Sequence, residues 1–524
     1  MPAILRASFI AVLLVTAAVV WQGPTATEAN GVAAISAGGF HTCALTASGG
    51  VKCWGSNQFG QLGDGKACGG ICSTPVNVTG LTSGVAAVSA GELHTCALTT
   101  ASGVKCWGYN GWGQLGNGTN SGPETCDLDP CSSTPLDVTD LTSGVAAISA
   151  SAAHTCALTT GGGVKCWGIN YFGQLGDGTT ADSSTPVDVS GLTSGVIAVS
   201  AGGYHTCALI TGGAAQCWGV NEFGQLGNGT TTGPETCAIY GCSTTPVDVT
   251  ALTSGVAAIS AGGIHSCALT TTGGVKCWGS NQFGELGDSQ TCGIYICATA
   301  VDVTGLSSAV TVSVGFHHTC SLTMAGDAKC WGRSDYGQLG DGTTTGPEVC
   351  GGPPCSTTPI DVTDLTSSVA AISAGTYHTC ALTTGGGLKC WGWNGFGQLG
   401  NGTTMESANP VNVFGLGSAP DADDDGCPDI REQVTGFGAQ NSGGNRNPKS
   451  PYDYFNPTHD GENRIDDIIA VVDQYFVDSG NPAYNPDTDR TLVGPNLWNS
   501  GPPNGFQRVD DILNAVYQYF HDCA

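Results

Sequence analysis

The stretch His41-Thr-Cys-Ala-Leu-Thr-Ala-Ser-Gly-Gly-Val-Lys-Cys-Trp-Gly55 decides the fold, because it returns six more times with its two cysteines always ten positions apart. The pairs are Cys43 with Cys53, Cys96 with Cys106, Cys156 with Cys166, Cys207 with Cys217, Cys267 with Cys277, Cys320 with Cys330 and Cys380 with Cys390, at a period of 51 to 60 residues. Self-similarity at that period marks a repeat protein in which each copy is one supersecondary unit. Within the stretch, His-Thr-Cys-Ala-Leu-Thr and Val-Lys-Cys-Trp are β-prone and Ala47-Ser48-Gly49-Gly50 is turn chemistry, so a β-hairpin is predicted. A turn centred on Ser48 sets Leu45 opposite Val51 and Cys43 opposite Cys53. Directly opposed residues have Cα atoms about 4.5 to 5.5 Å apart, within disulfide reach, so each hairpin is expected to be stapled. The alternation also places His41, Cys43 and Cys53 on one face, and a three-ligand metal site fits it equally well. The cysteine density favours oxidation over metal.

Working outward, 524 residues suit one large and one small domain, and 40% hydrophobic content can fill a core. With 82 glycines and only 11% charged residues the composition is that of a turn-rich all-β protein. A net charge of -27, with no basic run, argues against nucleic acid and anionic membrane surfaces as partners, since both reward clustered lysine and arginine. At the N-terminus Arg6 precedes an apolar run, Ala7 to Trp21, that is short for a bilayer span and ends in the small-residue stretch Thr25-Ala-Thr-Glu-Ala29. Residues 1–29 therefore read as a signal peptide, an uncleaved anchor being the competing reading. Export to a secreted, extracellular or cell-surface location accounts for 26 cysteines, and the mature chain is expected to hold no membrane span.

From residue 30 to 418 every unit has four β-prone parts, in the first unit Val32-Ala-Ala-Ile-Ser36, His41–Thr46, Val51–Gly55 and Thr74–Leu81. Units fall near 32–84, 85–144, 145–195, 196–255, 256–309, 310–368 and 369–417, and four short strands per unit make a propeller blade. In a closed ring, losing one unit is expected to expose strand edges. Between the third and fourth strands runs Gly55-Ser-Asn-Gln-Phe-Gly-Gln-Leu-Gly-Asp-Gly65, whose glycines form turns; no lysine followed by serine or threonine makes a phosphate cradle of them.

Gly38-Gly-Phe-His-Thr-Cys-Ala-Leu45 followed by Cys53-Trp-Gly-Ser-Asn-Gln-Phe-Gly-Gln-Leu-Gly-Asp-Gly65 resembles the repeat of the regulator of chromosome condensation family, in its alpha-tubulin-suppressor-like secreted bacterial branch. The resemblance covers roughly three-quarters of the chain and implies a seven-bladed β-propeller. The family's founding activity is guanine nucleotide exchange on a small nuclear GTPase, through loops that match no position here. A secreted bacterial β-lactamase-inhibitory propeller of the same family, which grips a protein with blade loops on one face, is the nearer comparison.

Five units carry a second cysteine pair before the fourth strand: Cys68 with Cys72, Cys126 with Cys131, Cys237 with Cys242, Cys292 with Cys297 and Cys350 with Cys355. Loops at one equivalent place project from one face, and a short disulfide lowers the entropy of holding each in shape. A rigid rim of loops is expected, serving either as a binding surface or as protection from proteolysis; zinc would need such pairs to converge from different blades. The repeated histidines His41, His94, His154, His205, His265, His318 and His378 share one structural position, which fits a core hydrogen bonder rather than a general base. Departures from the repeat are Glu92, Glu222, Glu285, His317, Asp327, Arg333 and Asp335, densest from His317 to Asp335. No Ser-His-Asp order, HExxH or carboxylate pair is found among them, so no catalytic residue is assigned.

Composition shifts at Pro420, and residues 419–524 read as a small, mainly helical module. Asp421, Asp423, Asp425, the Cys427 carbonyl, Asp429 and Glu432 fit a twelve-position calcium loop with Gly426 at position six, the calcium being structural. Gly461–Phe476 and Gly505–Phe520 are two copies of one pattern, each with an amphipathic helix. The duplication resembles a degenerate dockerin, which implies a cohesin-like or cell-surface partner. In that register Asn456, Thr458, Asp460 and Asp467 form a weaker calcium set, whereas Ser500, Pro502, Asn504 and Asp511 supply too few carboxylates. Cys427 and Cys523, left over from the twelve pairs, are expected to bond and close the module.

These features lead to a secreted, non-enzymatic propeller that binds a protein or glycan at its loop face. An extracellular glycosidase or lyase working in the central channel is the competing class, and two carboxylates converging at the channel mouth would favour it.

Overall fold

The computed structural model describes residues 31–65, 70–290 and 295–416. Among them the chain forms seven antiparallel sheets, each built from strands consecutive in sequence, so repeat and blade coincide. In the first blade the strands are Val32–Ala37, His41–Thr46, Val51–Ser56 and Ile71–Asn77. The hairpin register sets Cys43 against Cys53 and Leu45 against Val51. Cys43 and Cys53 are bonded. So are Cys96 and Cys106, Cys156 and Cys166, Cys207 and Cys217, Cys267 and Cys277, Cys320 and Cys330, and Cys380 and Cys390, with Cα atoms 4.0–4.1 Å apart. That separation is shorter than the 4.5–5.5 Å expected of opposed strands, because the staple draws the two backbones together. The bonds overturn the metal reading of His41, Cys43 and Cys53: the thiolates are consumed in a disulfide, and the imidazole is committed elsewhere.

That commitment belongs to one of several sets of bonds that join every blade to the next. His41 Nε2 lies 2.7 Å from Thr95 Oγ1 of the second blade. Matching pairs are His94–Thr155, His154–Thr206, His205–Ser266, His265–Thr319, His318–Thr379 and His378–Thr42. Each of those hydroxyls donates its own hydrogen to a backbone carbonyl, as Thr42 does to Gln398 and Thr95 to Gln61, so Nε2–H must be the donor on the imidazole. Nearer the axis, the serine hydroxyl of each first strand accepts the N–H of the next blade, from Ser36 with Ala90 to Ser373 with Ala37. Farther out, each tryptophan donates Nε1–H to the preceding blade, as Trp107 does to Gln61 O and Trp54 to Gln398 O, at 2.9–3.0 Å.

The seventh blade meets the first through the same kinds of bond as any other neighbours. Closure therefore needs no strand exchanged between the ends. It rests on faces. The tryptophan on each third strand is fully buried and sits in the apolar cluster of the preceding blade: Trp107 packs with Leu45, Val51, Leu62 and Val78, and Trp54 with Leu382, Leu388, Leu399 and Val413. Dispersion and area burial at seven such contacts supply most of the ring's cohesion.

The Asn57-Gln-Phe-Gly-Gln-Leu-Gly63 turn shapes this interface. Gln61 Oε1 accepts Phe59 N–H at 2.8 Å and Asn57 Oδ1 accepts Leu62 N–H at 3.1 Å, folding the loop back so that the Gln61 carbonyl faces Trp107. Gly63 has φ +69°, and a Cβ there would lie 2.6 Å from Trp107 Nε1, so the conformation and the close approach both demand glycine.

Three blades carry a short fifth strand at the outer edge, Glu124–Cys126, Glu235–Cys237 and Glu348–Val349, paired with a lengthened fourth strand. This addition, which four-strand patterning misses, is the stapled loop itself: Cys126–Cys131, Cys237–Cys242 and Cys350–Cys355 are bonded. In the other two blades that carry such a pair, half of it is described. Cys72 lies on the fourth strand of the first blade, opposite Gly55, and Cys297 lies in the same place on the fifth blade, opposite Gly279. Cys297 is disulfide-bonded. The expected partners, Cys68 for Cys72 and Cys292 for Cys297, fall outside the described residues. So do the whole leader, the calcium and dockerin-like residues from Asp421 to Asp467, and Cys427 with Cys523. No helix among the described residues is long and apolar enough to cross a membrane.

Candidate functional site

Strand direction fixes which loops share a face. First strands end, and second strands begin, at the turn before each repeated histidine; third strands end and fourth strands begin at that same end. The turns holding Phe40, Glu92, Tyr204, His317 and Tyr377 therefore lie on one face with all the loops between third and fourth strands. The turns Ala47–Gly50 and their equivalents lie on the other. Asp327 belongs to that opposite face, where its carboxylate bonds Thr323 Oγ1, so one departure from the repeat is separated from the rest.

On the loop face half-buried aromatic rings form a belt. Phe59 and Trp112 flank Tyr109, Tyr204 and Tyr240 flank Phe172, and Trp393 joins Phe40, Phe396, Tyr336 and Tyr377. Edge-to-face pairs of this kind add about 0.5–1.5 kcal/mol each beyond area burial and hold the rings in place. Beyond the belt stand large apolar side chains in water: Leu128 is 93% exposed, Ile239 79% and Val349 70%, each in or beside a disulfide-stapled loop. Leu128 is also held at φ +78°, a region an L-residue enters at a cost, and the Cys126–Cys131 bond closes the turn that imposes it. The stapled loops add carboxylates beside these tips. Glu124 accepts from Ser133 N and Oγ, and Glu235 from Thr244 N. Glu124, Cys126 and Cys131 lie close enough together for a metal ion, as do the matching trios of the fourth and sixth blades. Their sulfurs are disulfide-bonded, which removes the thiolates that zinc would take.

The structure brings Glu285, His317, Arg333 and Asp335 together between the fifth and sixth blades. Glu285 stands where six blades have glutamine; fully buried, it still accepts its local N–H, from Phe283 at 2.7 Å. Its other oxygen lies 3.5 Å from His317 Nδ1, and the imidazole is boxed by Phe283 and Phe316. Arg333 makes a bidentate bond to Asp335 at 2.6–2.7 Å and spreads its guanidinium over Phe283, Tyr336 and Tyr377 at 5.3–5.9 Å. Burial pulls that guanidinium down, and the Asp335 bond outweighs it, raising it above the ordinary arginine value. The Arg333–Asp335 pair is self-neutralising and stacked on aromatic rings, so the cluster reads as a rigid support for the belt.

At the centre of the face the channel opens into a cavity of about 180 Å³, lined by first-strand ends and the glycine-rich turns after them. Glu92 is the one charged side chain lining it among the described residues. Burial raises its carboxyl above the usual range. Burial and then the Glu92 charge raise the phenol of Tyr204; that of Tyr377 is raised by burial against the opposing pull of Arg333, with smaller contributions from Tyr336, Glu92 and Asp335. Glu222 sits apart from both groups, exposed in a fourth-blade loop. Sequence reading flagged Glu92 as a departure but could not place it at the axis, because only closure of the ring defines an axis.

Compared with known proteins, residues 73–423 match the family described as RCC1-like domain, and residues 32–61 match the regulator of chromosome condensation (RCC1) repeat. The chain is 32% identical over 330 residues to the ultraviolet-B receptor UVR8 of Arabidopsis thaliana, spanning 62% of this chain and 69% of that one. It is 29% identical over 377 residues to the secretion-regulating guanine nucleotide exchange factor of Bos taurus, spanning 69% and 78%. Among solved structures it is similar to yeast RCC1 (Prp20) bound to Kap60, with TM-score 0.59 and 23% identity over 69% of this chain and 83% of that one.

Proposed function

We propose, from the premise that this chain belongs to the RCC1-like domain family, that it is a binding propeller that holds a protein partner on its loop face. Propellers of this family are in general binding proteins, some of them guanine nucleotide exchange factors. The observation that carries the reading is the set of exposed apolar side chains, Leu128, Ile239 and Val349, held by disulfides on one face of a chain with net charge -27. A soluble protein gains nothing by fixing large aliphatic groups in water, whereas a preorganised apolar tip beside a carboxylate docks without paying to order itself. The acidic surface selects a basic partner surface. The channel mouth supports binding over glycoside hydrolysis, since that chemistry ordinarily uses two carboxylates and Glu92 is the one described there. Many disulfides support an extracellular setting. For the C-terminal part we propose a structural calcium at Asp421–Glu432 and a role in attachment, on the residue pattern alone.

The test compares the secreted full chain with a triple variant, Leu128→Asp, Ile239→Asp and Val349→Asp, and with an opposite-face control, Ser48→Asp with Ser102→Asp. All three are used as bait in native culture medium, with folding checked by thermal unfolding. A partner retained by wild type and the control, and lost at least tenfold with the triple variant, is the expected outcome. Retention by the triple variant and loss by the control would overturn the reading.

A further inference from the structure

Glu92 lies at the position that is glycine in the first, fourth and fifth blades, Gly39, Gly203 and Gly263. Its backbone is fixed by an N–H bond to Ser151 O at 3.0 Å, and its side chain lies over Gly39, where a Cβ would come within 2.6 Å of Glu92 Cγ. The carboxylate is thus turned inward from the second blade, and its charge is felt by tyrosines of the fourth and seventh blades. No hydrogen bond or ion pair engages it among the described residues. The nearby serine hydroxyls accept backbone N–H in the inter-blade ring, Ser36 from Ala90 and Ser89 from Ala150, and neither bonds the carboxylate. Phe316 lies across the mouth, its ring packed on Gly263, and Tyr204 and Tyr377 stand in the turns at the rim.

Glu92 is half-buried at the cavity, and a carboxylate drawn part-way out of water with no protein partner gains from a cation that answers it. We propose that the channel mouth is a socket for one extended cationic side chain, a lysine or arginine of the bound protein, with Glu92 as its counter-ion. A cavity of about 180 Å³ is many times the roughly 10–15 Å³ that a single water needs, room for a guanidinium or ammonium head and part of its methylene stem. Small residues and backbone line the wall, and aromatic faces at the rim accept the stem and the cation. Glycine neighbours give a second cation nowhere to bind, so the socket takes one. The occupant's identity as part of a protein rests on the loop-face reading above; the socket itself does not.

The experiment titrates N-acetyl-arginine amide into the full chain by calorimetry, beside N-acetyl-citrulline amide, which keeps the shape and loses the charge. N-acetyl-lysine amide distinguishes guanidinium from ammonium. Glu92→Gln removes the charge and keeps the shape, and Glu92→Gly installs the residue that the first, fourth and fifth blades carry there, with folding of both checked by thermal unfolding. Wild type should bind the arginine probe at least tenfold more tightly than the citrulline probe, and both variants should lose that preference. Equal binding of the two probes, no binding of either cation, or unchanged discrimination in both variants would overturn the socket. Because no protein partner enters this assay, its failure leaves the loop-face test unaffected, and failure of that test leaves this one interpretable.

Discussion

Thermal stability should collapse on mild acidification, falling steeply as pH drops from about 6.5 towards 4. The cause is the ring of repeated histidines, each fully buried. Burial pushes His41, His94, His154, His205, His318 and His378 from 6.5 to about 3, and His265 well below its ordinary value, with neighbouring histidines helping at His41, His154, His265 and His318. Their unfolded counterparts protonate near 6.5, whereas six of the folded imidazoles stay neutral until about pH 3 and that of His265 stays neutral well below its ordinary value. The stability they contribute is therefore complete above 6.5 and is lost as pH falls towards the folded value. Each group adds at most ~1.4 kcal/mol per pH unit, so seven give a ceiling of roughly 10 kcal/mol per unit, against a total of about 5–15 kcal/mol for an ordinary domain. Relief of the repulsion within a -27 chain works in the opposite direction but is screened by salt. Melting curves every half unit from pH 8 to 4, in 0.15 M salt, should show a plateau above 6.5 and a midpoint dropping by tens of degrees below it. A flat profile from 7 to 4.5 would mean that the imidazoles are reached by protons in the folded ring.

Excision of residues 369–416 should destroy the cooperative fold. The sequence reading locates the danger at strand edges, but the structure corrects this: no sheet shares a strand with its neighbour, so no edge is uncovered. What excision exposes is two faces. The first blade loses the cluster that holds Val32, Ala44 and Trp54, and the sixth loses Ala381 and Trp391 from its own. One buried tryptophan replaced by alanine costs about 3–5 kcal/mol, and here a whole interface goes on each side, together with the ring bonds at both junctions. Sedimentation and tryptophan fluorescence should find oligomers or an expanded chain. A monomer with a sharp transition near the wild-type midpoint would contradict closure by seven equivalent contacts.

Much of this architecture was legible because the repeat displays each structural demand seven times. Cys43 opposite Cys53 follows from turn placement and alternation alone, and the histidine's shared position already marks it as a core group rather than a base. What the repeat could not convey is contact between blades. That Trp107 enters the first blade's core, or that Thr95 Oγ1 serves both His41 and the Gln61 carbonyl, depends on faces brought together only by the closed ring. The candidate site was half visible. His317 to Asp335 stood out as a cluster, and Glu285 was flagged without the glutamine role that it fills; Glu92 and Tyr204, far apart in sequence, share one face only because the turns before each histidine converge on one axis. Leu128 and Ile239 gave no signal, since a single aliphatic residue between two cysteines reads the same whether buried or exposed.

Hydrogen–deuterium exchange of the full chain, alone and with its captured partner, tests most directly whether the loop face is the working surface. Binding there should slow exchange in the stapled loops 110–131, 221–242 and 334–355 and in the turn around Glu92, and leave the opposite turns 47–50 and 100–103 unchanged. Protection confined to those opposite turns, with the stapled loops exchanging as in the free protein, would contradict it.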